Sequence, residues 1–357
     1  MKINQRFQDF DKSGAKVYIP TEKYDIDLSL TQNPLGCSPK VLEIIRQHIS
    51  QINHYPDPFY RELSSFLSKK HGIPNSQYIF GAGVDGLIEN IVRILINPGD
   101  EIIMPQLTFI NTSFAASIAG GKTIFTKMKP NFHIDFSDIH HHLSDHTKMV
   151  FICNPNNPTG LIEDQNDMIE LVETADCLVV IDEANIEFSG KSMIKFVKKY
   201  HNLVVLRTFS KGYSLAGMRI GYCVGNEQLM NYVWRIRPPF PNTLLAQEAA
   251  LAALQDEDHL EKSRQYMKSG RDYLTQELEQ LGFEVIPSES NCFLVKVTPH
   301  FSSSTKFNDL LHQHNTTVVD GKHYHGLGDS YIRIAPQLHE TNHKFIEIVK
   351  KLMKNKS

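Results

Sequence analysis

Three short apolar runs, each followed by polar residues, constrain the fold of this chain most. They occupy residues 149–153, 177–181 and 203–206. Apolar runs of this length, bounded by turn residues, predict buried β-strands. Strand and helix patterns alternate from about Pro34 to Trp234, which is typical of a mainly parallel sheet covered by helices. The sequence therefore predicts an α/β fold.

The polar residues after these strands predict a functional site. Asn157 follows the first strand, Asp182 ends the second and Lys211 follows the third. Ligands of parallel α/β folds bind at the carboxyl ends of the strands, so an amide, a carboxylate and an amine should meet there. An isolated lysine is usually solvated. At this edge, however, an amine can react with an aldehyde cofactor once its neighbours lower its pKa.

Several short motifs occur in a fixed order along the chain. They lie at residues 33–36, 55–58, 154–160, 182–184, 210–211, 235–240 and 331–334. Their order and spacing resemble the pyridoxal-phosphate-dependent aminotransferases of fold type I, and most closely the histidinol-phosphate aminotransferase group. The resemblance implies a large domain with a mainly parallel, seven-stranded sheet in α/β/α layers and a smaller α+β domain.

The same resemblance divides the chain into three parts. Residues 1–30 are expected to form an N-terminal arm that packs on the small domain. Residues 31–237 would form the large cofactor-binding domain, and residues 238–357 the small C-terminal domain. Strand patterns at residues 282–286 and 331–335 fit an α+β organisation of the last part.

The resemblance implies that the cofactor is pyridoxal 5'-phosphate (PLP) and that Lys211 attaches it covalently. Asp182 would keep the pyridine nitrogen protonated, so that the ring can accept electrons. Asn157 would donate a hydrogen bond to the phenolic oxygen, and Phe109 would stack on the ring. The alternative for Phe109 is an ordinary core phenylalanine.

The cofactor phosphate should lie at the start of a helix, where backbone N–H groups converge. We assign this role to Gly83 and Val84, in a glycine-rich turn between a predicted strand and an apolar helix. The side chains of Thr208, Ser210 and Arg219 would supply further donors. A plain connection between strand and helix is the alternative, because a glycine-rich turn alone is weak support.

Further contacts follow from the resemblance. Tyr55 would reach the cofactor phosphate of the neighbouring subunit, which implies a homodimer. Arg333 would bind the substrate carboxylate through two parallel hydrogen bonds, and a solvated strand arginine is the alternative. We also place Asn33, from the first motif, at the substrate. The expected substrate is therefore an amino acid.

Two positions depart from the family pattern. Asn185 stands where the family usually has a tyrosine that supports the phenolic oxygen, although an amide can still donate a hydrogen bond. The related enzymes usually carry an Arg-Asp pair that helps to hold a substrate phosphate, whereas this chain has Val319-Asp320-Gly321. Asp320 would repel a phosphate and select a neutral or cationic side chain. The alternative is a turn residue before Gly321.

Composition and pattern limit the other classes of function. The formal net charge of -3 gives no basic field for nucleic acid, and no apolar run approaches the ~20 residues of a membrane span. Five scattered cysteines without a Cys-x-x-Cys pair favour free thiols and a cytoplasmic location. The histidines at 140–142 and 323–325 lack recognisable further metal ligands. We expect no metal, and we expect His323, His325 or both to border the substrate.

Together these features predict a PLP-dependent aminotransferase that moves an amino group between an amino acid and a 2-oxo acid. We expect a non-phosphorylated substrate, a homodimer, and neither nucleic-acid nor membrane partners. The nearer alternative is a decarboxylase similar to threonine-phosphate decarboxylase, or other Cα chemistry on the same fold. The farther alternative is a non-catalytic sensor, against which the presence of both Lys211 and Asp182 argues.

Overall fold

The computed structural model describes residues 22–298 and 300–354, and it contains one large and two smaller sheets. The strands are β1 (Ile26–Asp27), β2 (Tyr78–Gly81), β3 (Glu101–Pro105), β4 (Lys122–Thr126), β5 (Thr147–Cys153), β6 (Leu178–Asp182), β7 (Leu203–Thr208), β8 (Gly221–Val224), β9 (Glu284–Val285), β10 (Phe293–Lys296), β11 (Thr316–Thr317), β12 (Val319–Asp320) and β13 (Tyr331–Ile334).

The helices alternate with these strands through the first two thirds of the chain. They are α1 (Pro39–His48), α2 (Arg61–His71), α3 (Gly83–Leu95), α4 (Asn111–Ala119), α5 (Phe136–His142), α6 (Gln165–Thr174), α7 (Glu227–Ile236), α8 (Leu244–Leu254), α9 (Glu257–Gln280), α10 (Ser304–His312) and α11 (His339–Lys354). Within the described ranges, none of these helices combines the length and the apolar character that a membrane crossing requires.

The large sheet has seven strands in the order β2-β8-β7-β6-β5-β3-β4. All neighbouring strands are parallel except the pairs that β8 makes with β2 and β7. Alternate residues of β5 face opposite sides: Val150 belongs to one apolar cluster and Phe151 to the other. Because both faces are buried, helices cover the sheet on both sides. The predicted α/β fold with a mainly parallel, seven-stranded sheet is confirmed.

The small sheet is antiparallel and has the order β12-β13-β10-β9. Next to it, β1 and β11 form a parallel pair, and Leu28 belongs to the same apolar cluster as Phe293 of β10 and Phe345 of α11. The described end of the predicted N-terminal arm, residues 22–30, therefore packs with this sheet. Residues 1–21 lie outside the described ranges.

Helix α8 packs on the large sheet, although it follows the predicted end of the large domain. Its residues Ala246, Ala249 and Ala250 are fully buried in the apolar cluster on one face of the large sheet. The boundary at residues 237 and 238 stays a prediction, and α8, which follows it, packs with the part of the chain that precedes it. We propose that the change between domains falls within α9, the long helix that comes next.

Candidate active site

A cavity of about 470 Å³ lies between the carboxyl edge of the large sheet and strand β13 of the small sheet. Its volume is within the usual range for small-molecule sites. The predicted site residues that line it are Val84, Phe109, Asn157, Asp182, Asn185, Thr208, Ser210, Lys211, Arg219 and Arg333. Residues from six separate parts of the sequence thus meet around one edge of the large sheet, where such folds bind ligands.

The register of the parallel strands explains this convergence. Asp182, the last residue of β6, lies opposite Cys153 on β5 and Leu206 on β7. The pairing extends just past the strands, because Asn154 N donates to Asp182 O at 2.9 Å and Glu183 N donates to Leu206 O at 2.9 Å. The loops that carry Asn157 and Lys211 therefore leave the sheet beside Asp182.

Asp182 is a buried carboxyl group, with 2% of its surface exposed. Burial raises its pKa to about 7, against the hydrogen bond from Ala184 N and the charge of Lys211, which both lower it. The Ala184 hydrogen bond to Oδ1 measures 3.0 Å. A carboxyl group in this setting gains most from a cationic partner, since burial disfavours an unpaired charge.

Lys211 places its amine inside the cavity. Nζ donates to Thr31 Oγ1 at 2.6 Å and to Thr31 O at 3.1 Å. Burial, and after it the positive charge of Arg333, lowers the pKa of Lys211 to about 8. At pH 7 roughly a tenth of the amine is therefore neutral, far more than for an ordinary exposed lysine. The neutral amine is the form that attacks a carbonyl or accepts a proton.

The start of α3 forms one wall of the cavity. The sequence predicts an apolar helix from Leu87, but the helix begins at Gly83, so Val84 and Asp85, which line the cavity, lie in its first turn. Gly83 itself does not line the cavity. Gly83 has φ +71°, and a Cβ there would come within 2.8 Å of Arg219 Nη2. A glycine is therefore required where the backbone and the guanidinium meet. Unpaired N–H groups at a helix start favour an anion.

Hydroxyl groups complete this wall. Ser210 N donates to Thr208 Oγ1 at 3.1 Å, and Thr208 Oγ1 donates to Ser210 Oγ at 2.9 Å. Arg219 Nη2 donates to Asp85 Oδ2 at 3.3 Å, and half of the Arg219 side chain is exposed. Hydroxyl donors, an arginine and a helix start together provide the charge and hydrogen bonds that a phosphate needs.

Arg333 reaches the cavity from β13 and is almost fully buried. Nη1 donates to Asn157 Oδ1 at 3.4 Å, and Nη2 donates to the carbonyl of Ser29. Within the described residues, Nε has no hydrogen-bond partner. A buried guanidinium with an unused donor is suited to a carboxylate ligand.

Phe109 and Asn185 lie on the remaining walls. Phe109 is half-buried, so it lines the cavity and also packs against an apolar core cluster. Asn185 is 5% exposed, and its Oδ1 is buried without a hydrogen-bond partner among the described residues. Since a buried amide loses free energy when unpaired, Asn185 is suited to a polar ligand in the cavity.

Asn33 does not line the cavity, unlike our prediction of a substrate contact. Its Nδ2 donates to Gly212 O at 3.3 Å and to Ser263 Oγ, and its Oδ1 accepts from Leu35 N at 3.1 Å. Both the nitrogen and the oxygen of its amide are therefore engaged in hydrogen bonds within the protein. Asn33 therefore ties the N-terminal segment to the loop that carries Lys211, and we do not propose that it binds substrate.

Asp320 also lies outside the cavity lining, which corrects our prediction of a substrate-selecting carboxylate. It is 2% exposed, and its oxygens accept from Ser304 Oγ at 2.5 Å and Thr305 Oγ1 at 2.6 Å. Oδ1 also accepts from Lys322 N at 3.1 Å, at the start of a short 3₁₀ helix. The alternative of a turn residue fits this geometry. The neighbouring Val319 lines the cavity instead.

Several lining residues were not predicted from the sequence, among them Thr31, Asp85 and Tyr324. Asp85 follows the assigned Gly83 and Val84, so its position in the helix start was the available signal. Thr31 gave no signal of its own, because its contact with Lys211 spans 180 positions. His323 and His325 line the cavity as expected.

The family model for aminotransferase class I and II matches residues 23–349. This chain belongs to that family. The histidinol-phosphate aminotransferase of Methanococcus aeolicus is 36% identical over 334 residues, which cover 92% of this chain and 90% of that protein. The histidinol-phosphate aminotransferase of Methanosarcina mazei is 36% identical over 322 residues, with 90% and 86% covered.

Solved structures agree with this assignment. The histidinol-phosphate aminotransferase of Sinorhizobium meliloti, in complex with pyridoxal-5'-phosphate, superposes with a TM-score of 0.91, at 21% identity, over 100% of this chain and 98% of that chain. The enzyme of the same name from Clostridium acetobutylicum gives a TM-score of 0.85 at 26% identity, over 92% and 99%. The aminotransferase described here therefore has the fold type I architecture that its motifs predict.

The cofactor of this aminotransferase is PLP, and the cavity fits it. Asp182 is a buried carboxyl that forms no ion pair among the described residues, and Lys211 is a buried amine with a lowered pKa. Gly83 packs closely on Arg219 at the start of α3, and among the described residues Asn185 Oδ1 is buried without a hydrogen-bond partner. These groups would hold, in order, the ring nitrogen, the aldehyde, the phosphate and the phenolic side of the ring.

The raised pKa of Asp182 predicts how its replacement changes stability with pH. The folded state holds a proton on Asp182 up to about pH 7, whereas the unfolded chain releases it near pH 4. The folding stability that depends on this proton is present at low pH and lost as pH rises through that window. Without cofactor, we expect Asp182→Asn to be more stable than the parent at pH 8, by about 1–3 kcal/mol.

Urea unfolding at pH 5 and pH 8, at one protein concentration, measures this difference. The gain in stability of Asp182→Asn over the parent should be smaller at pH 5, because the folded parent then carries a neutral, protonated carboxyl group at this position. Asp309→Asn, which removes an exposed carboxylate from α10, controls for the general loss of a negative charge. Equal destabilisation of Asp182→Asn at both pH values would contradict the assignment of a buried, protonated acid.

Proposed function

We propose that this aminotransferase uses Lys211 to attach PLP and to move the Cα proton of an amino acid. The single observation that carries the proposal is the meeting of the Lys211 amine, the Asp182 carboxyl and the Arg333 guanidinium in one cavity. When bound, PLP supplies an aldehyde that reacts with amines and a ring that draws electrons from Cα. Lys211 Nζ would be the group that accepts the proton released from Cα.

The other residues orient the reactants. Arg333 binds the substrate carboxylate, because its position opposite Lys211 brings Cα near the amine. Asp182 keeps a proton on the ring nitrogen, which strengthens electron withdrawal. Asn157 and Asn185 supply amide groups on the phenolic side. We propose that the cycle ends with a 2-oxo acid and that a second oxo acid reverses it.

Replacement of the lysine tests this function. Lys211→Ala should lower transamination by at least about 10³-fold, because it removes both the attachment point and the proton acceptor. Borohydride reduction of the loaded parent, followed by peptide mass spectrometry, should find the cofactor on Lys211. Lys262→Ala, at an exposed lysine of α9, serves as the control. Carbon dioxide release from the parent without oxo-acid formation would instead support the decarboxylase alternative.

The charges around the cavity bear on the side chain of the substrate. The lysine and arginines that line it within the described residues are Lys211, Arg219 and Arg333, and each has a role towards the cofactor or the α-carboxylate. His323 also lines it, but burial lowers its pKa. It is therefore mostly neutral near pH 7 and is a weak partner for a phosphate dianion.

We propose that Val319 stands where the related enzymes carry the arginine of the Arg-Asp pair. It pairs with Arg333 across β12 and β13 and faces the cavity, next to the buried Asp320 of the pair discussed above. The resemblance leads us to expect an arginine in this pair, so an apolar side chain removes a phosphate ligand. His325 stacks on Phe125 with ring centroids 4.3 Å apart, which adds a flat wall nearby. We propose a non-phosphorylated substrate with a neutral side chain.

A charge placed at Val319 tests the substrate proposal. Val319→Arg should lower kcat/KM for the best neutral amino acid by about 10-fold or more and raise it for phosphorylated amino acids, since a phosphate gains a charge-assisted partner. Val319→Met adds bulk without charge and is the matched control. A panel of amino acids, with aromatic ones tried first, gives the parent profile. A parent that prefers histidinol phosphate would contradict the proposal.

We further propose that the enzyme is a homodimer with a site shared between subunits. Tyr55 is 80% exposed and stacks on the exposed Phe240 with centroids 4.6 Å apart. Phe59 and Trp234 form a second exposed pair. Exposed aromatic surface of this kind favours a protein interface. We also propose a cytoplasmic location, since all five cysteines are free thiols, which a reducing compartment maintains.

Mixed dimers test whether Tyr55 serves the partner's site. Tyr55→Ala and Lys211→Ala should each be nearly inactive, but subunits unfolded and refolded together at equal amounts should regain about a quarter of the parental activity. In a mixed dimer, one site then combines an intact Lys211 with an intact Tyr55 from the other chain. Sedimentation analysis of the refolded mixture should show dimers. No recovery in a mixture that forms mixed dimers would contradict the shared site.

A further inference from the structure

The segment of residues 29–33 crosses the cavity above Lys211 and is fixed along its length. Arg333 donates to the carbonyl of Ser29, and Asn291 Nδ2 donates to Thr31 O at 3.0 Å. Asn291 is fully buried. Asn33 joins the far end of the segment to Gly212 O at 3.3 Å. The backbone at Thr31 is therefore held from both domains.

Thr31 presents two oxygens to the catalytic amine. Lys211 Nζ donates to Thr31 Oγ1 at 2.6 Å and to Thr31 O at 3.1 Å, and within the described ranges no other hydrogen bond of Nζ occurs. The first distance is at the short end for hydrogen bonds from a charged donor. The β-branched side chain of threonine is stiff at χ1. Its hydroxyl thus defines one direction for the amine.

We propose that Thr31 is a positioning residue that holds the Lys211 amine while this amine is not bonded to the cofactor. The inference rests on the proposed role of Lys211 and goes beyond it, because Thr31 is part of none of the short motifs that carry the resemblance. In the proton step the Cα–H bond breaks and an N–H bond forms at Nζ. The electron pair left on Cα is drawn into the bound cofactor.

The physical reason is the length of the lysine side chain. A four-carbon stem leaves Nζ many positions, and a proton acceptor is effective only within about 2.6–3.2 Å of the proton it takes, on the heavy-atom distance. The Thr31 carbonyl and hydroxyl confine the ammonium after it has accepted the proton. They also fix the direction from which it returns the proton.

The two oxygens affect the protonation of the amine as well. Because both accept hydrogen bonds from the ammonium form, they favour it and oppose the lowering by burial and by Arg333. The charged or titratable groups that face Lys211 are Arg333, Cys292, Arg219, Asp85 and Asp182. Removing the hydroxyl should therefore lower the pKa of the amine further.

Two replacements separate positioning from a purely structural role. Thr31→Val keeps the shape, the β-branch and the backbone carbonyl but removes the hydroxyl. Thr31→Ser keeps the hydroxyl and removes only a methyl group. If Thr31 only packed the segment, Thr31→Val would lose less activity than Thr31→Ser. If the hydroxyl holds the amine, Thr31→Ser would lose less activity than Thr31→Val.

The main test follows exchange of the substrate Cα proton with deuterated solvent in the cofactor-loaded enzyme. We expect Thr31→Val to slow exchange about 10-fold, within the range of general acid–base effects, with KM changed much less than kcat. Thr31→Ser should recover most of the rate. The inference is overturned if Thr31→Val exchanges at the parental rate, or if both variants lose the same amount.

A second readout does not depend on turnover. The full chain without cofactor is treated with acetic anhydride across a pH series, and modification of Lys211 is followed by mass spectrometry. The midpoint should move to lower pH in Thr31→Val and stay near the parental value in Thr31→Ser. An unchanged midpoint in Thr31→Val would remove the proposed contact.

The borohydride experiment on the parent keeps this inference distinct from the proposed function. If the cofactor is not trapped on Lys211, the role of Lys211 fails, and that of Thr31 fails with it. If the cofactor is trapped on Lys211 and Thr31→Val behaves like the parent in both readouts, the inference about Thr31 alone is overturned.

Discussion

The parallel pairing of β5, β6 and β7 is the constraint on which the active site depends. Main-chain hydrogen bonds align the carboxyl ends of these strands, with Asp182 between Cys153 and Leu206. Buried apolar side chains on both faces make a shift by one residue costly, since it would exchange the two faces. The loops that carry Asn157 and Lys211 then have fixed starting points. A chemically demanding arrangement therefore follows from ordinary sheet packing.

The second constraint is charge in a buried cavity. Burial acts in opposite directions on an acid and a base: it raises the pKa of Asp182 to about 7 and lowers that of Lys211 to about 8. The two groups therefore titrate much closer together than the same residues in water. PLP chemistry needs an acid that can stay charged beside a cation and an amine that can lose its proton. One environment provides both conditions.

The fold class and several residues of the candidate site could be predicted from the sequence, and the incorrect predictions have physical causes. Asp182 and Lys211 could be found because strand ends and apolar runs are local patterns. Asp320 was misassigned because neighbouring strand residues point to opposite faces, and its neighbour Val319 faces the cavity. Asn33 was misassigned because hydrogen bonds with distant backbone groups do not appear in a motif. Side-chain direction thus required the tertiary structure, whereas the fold class did not.

The contact between the Ser29 carbonyl and Arg333 joins residues 304 positions apart. During synthesis at the ribosome, the N-terminal partner emerges early and waits until nearly the whole polypeptide has appeared. A chain that stops before β13 lacks the arginine that closes the cavity from the other side. In such a chain the Ser29 carbonyl has no guanidinium partner, so residues 29–33 lose one of the contacts that fix them over the cavity.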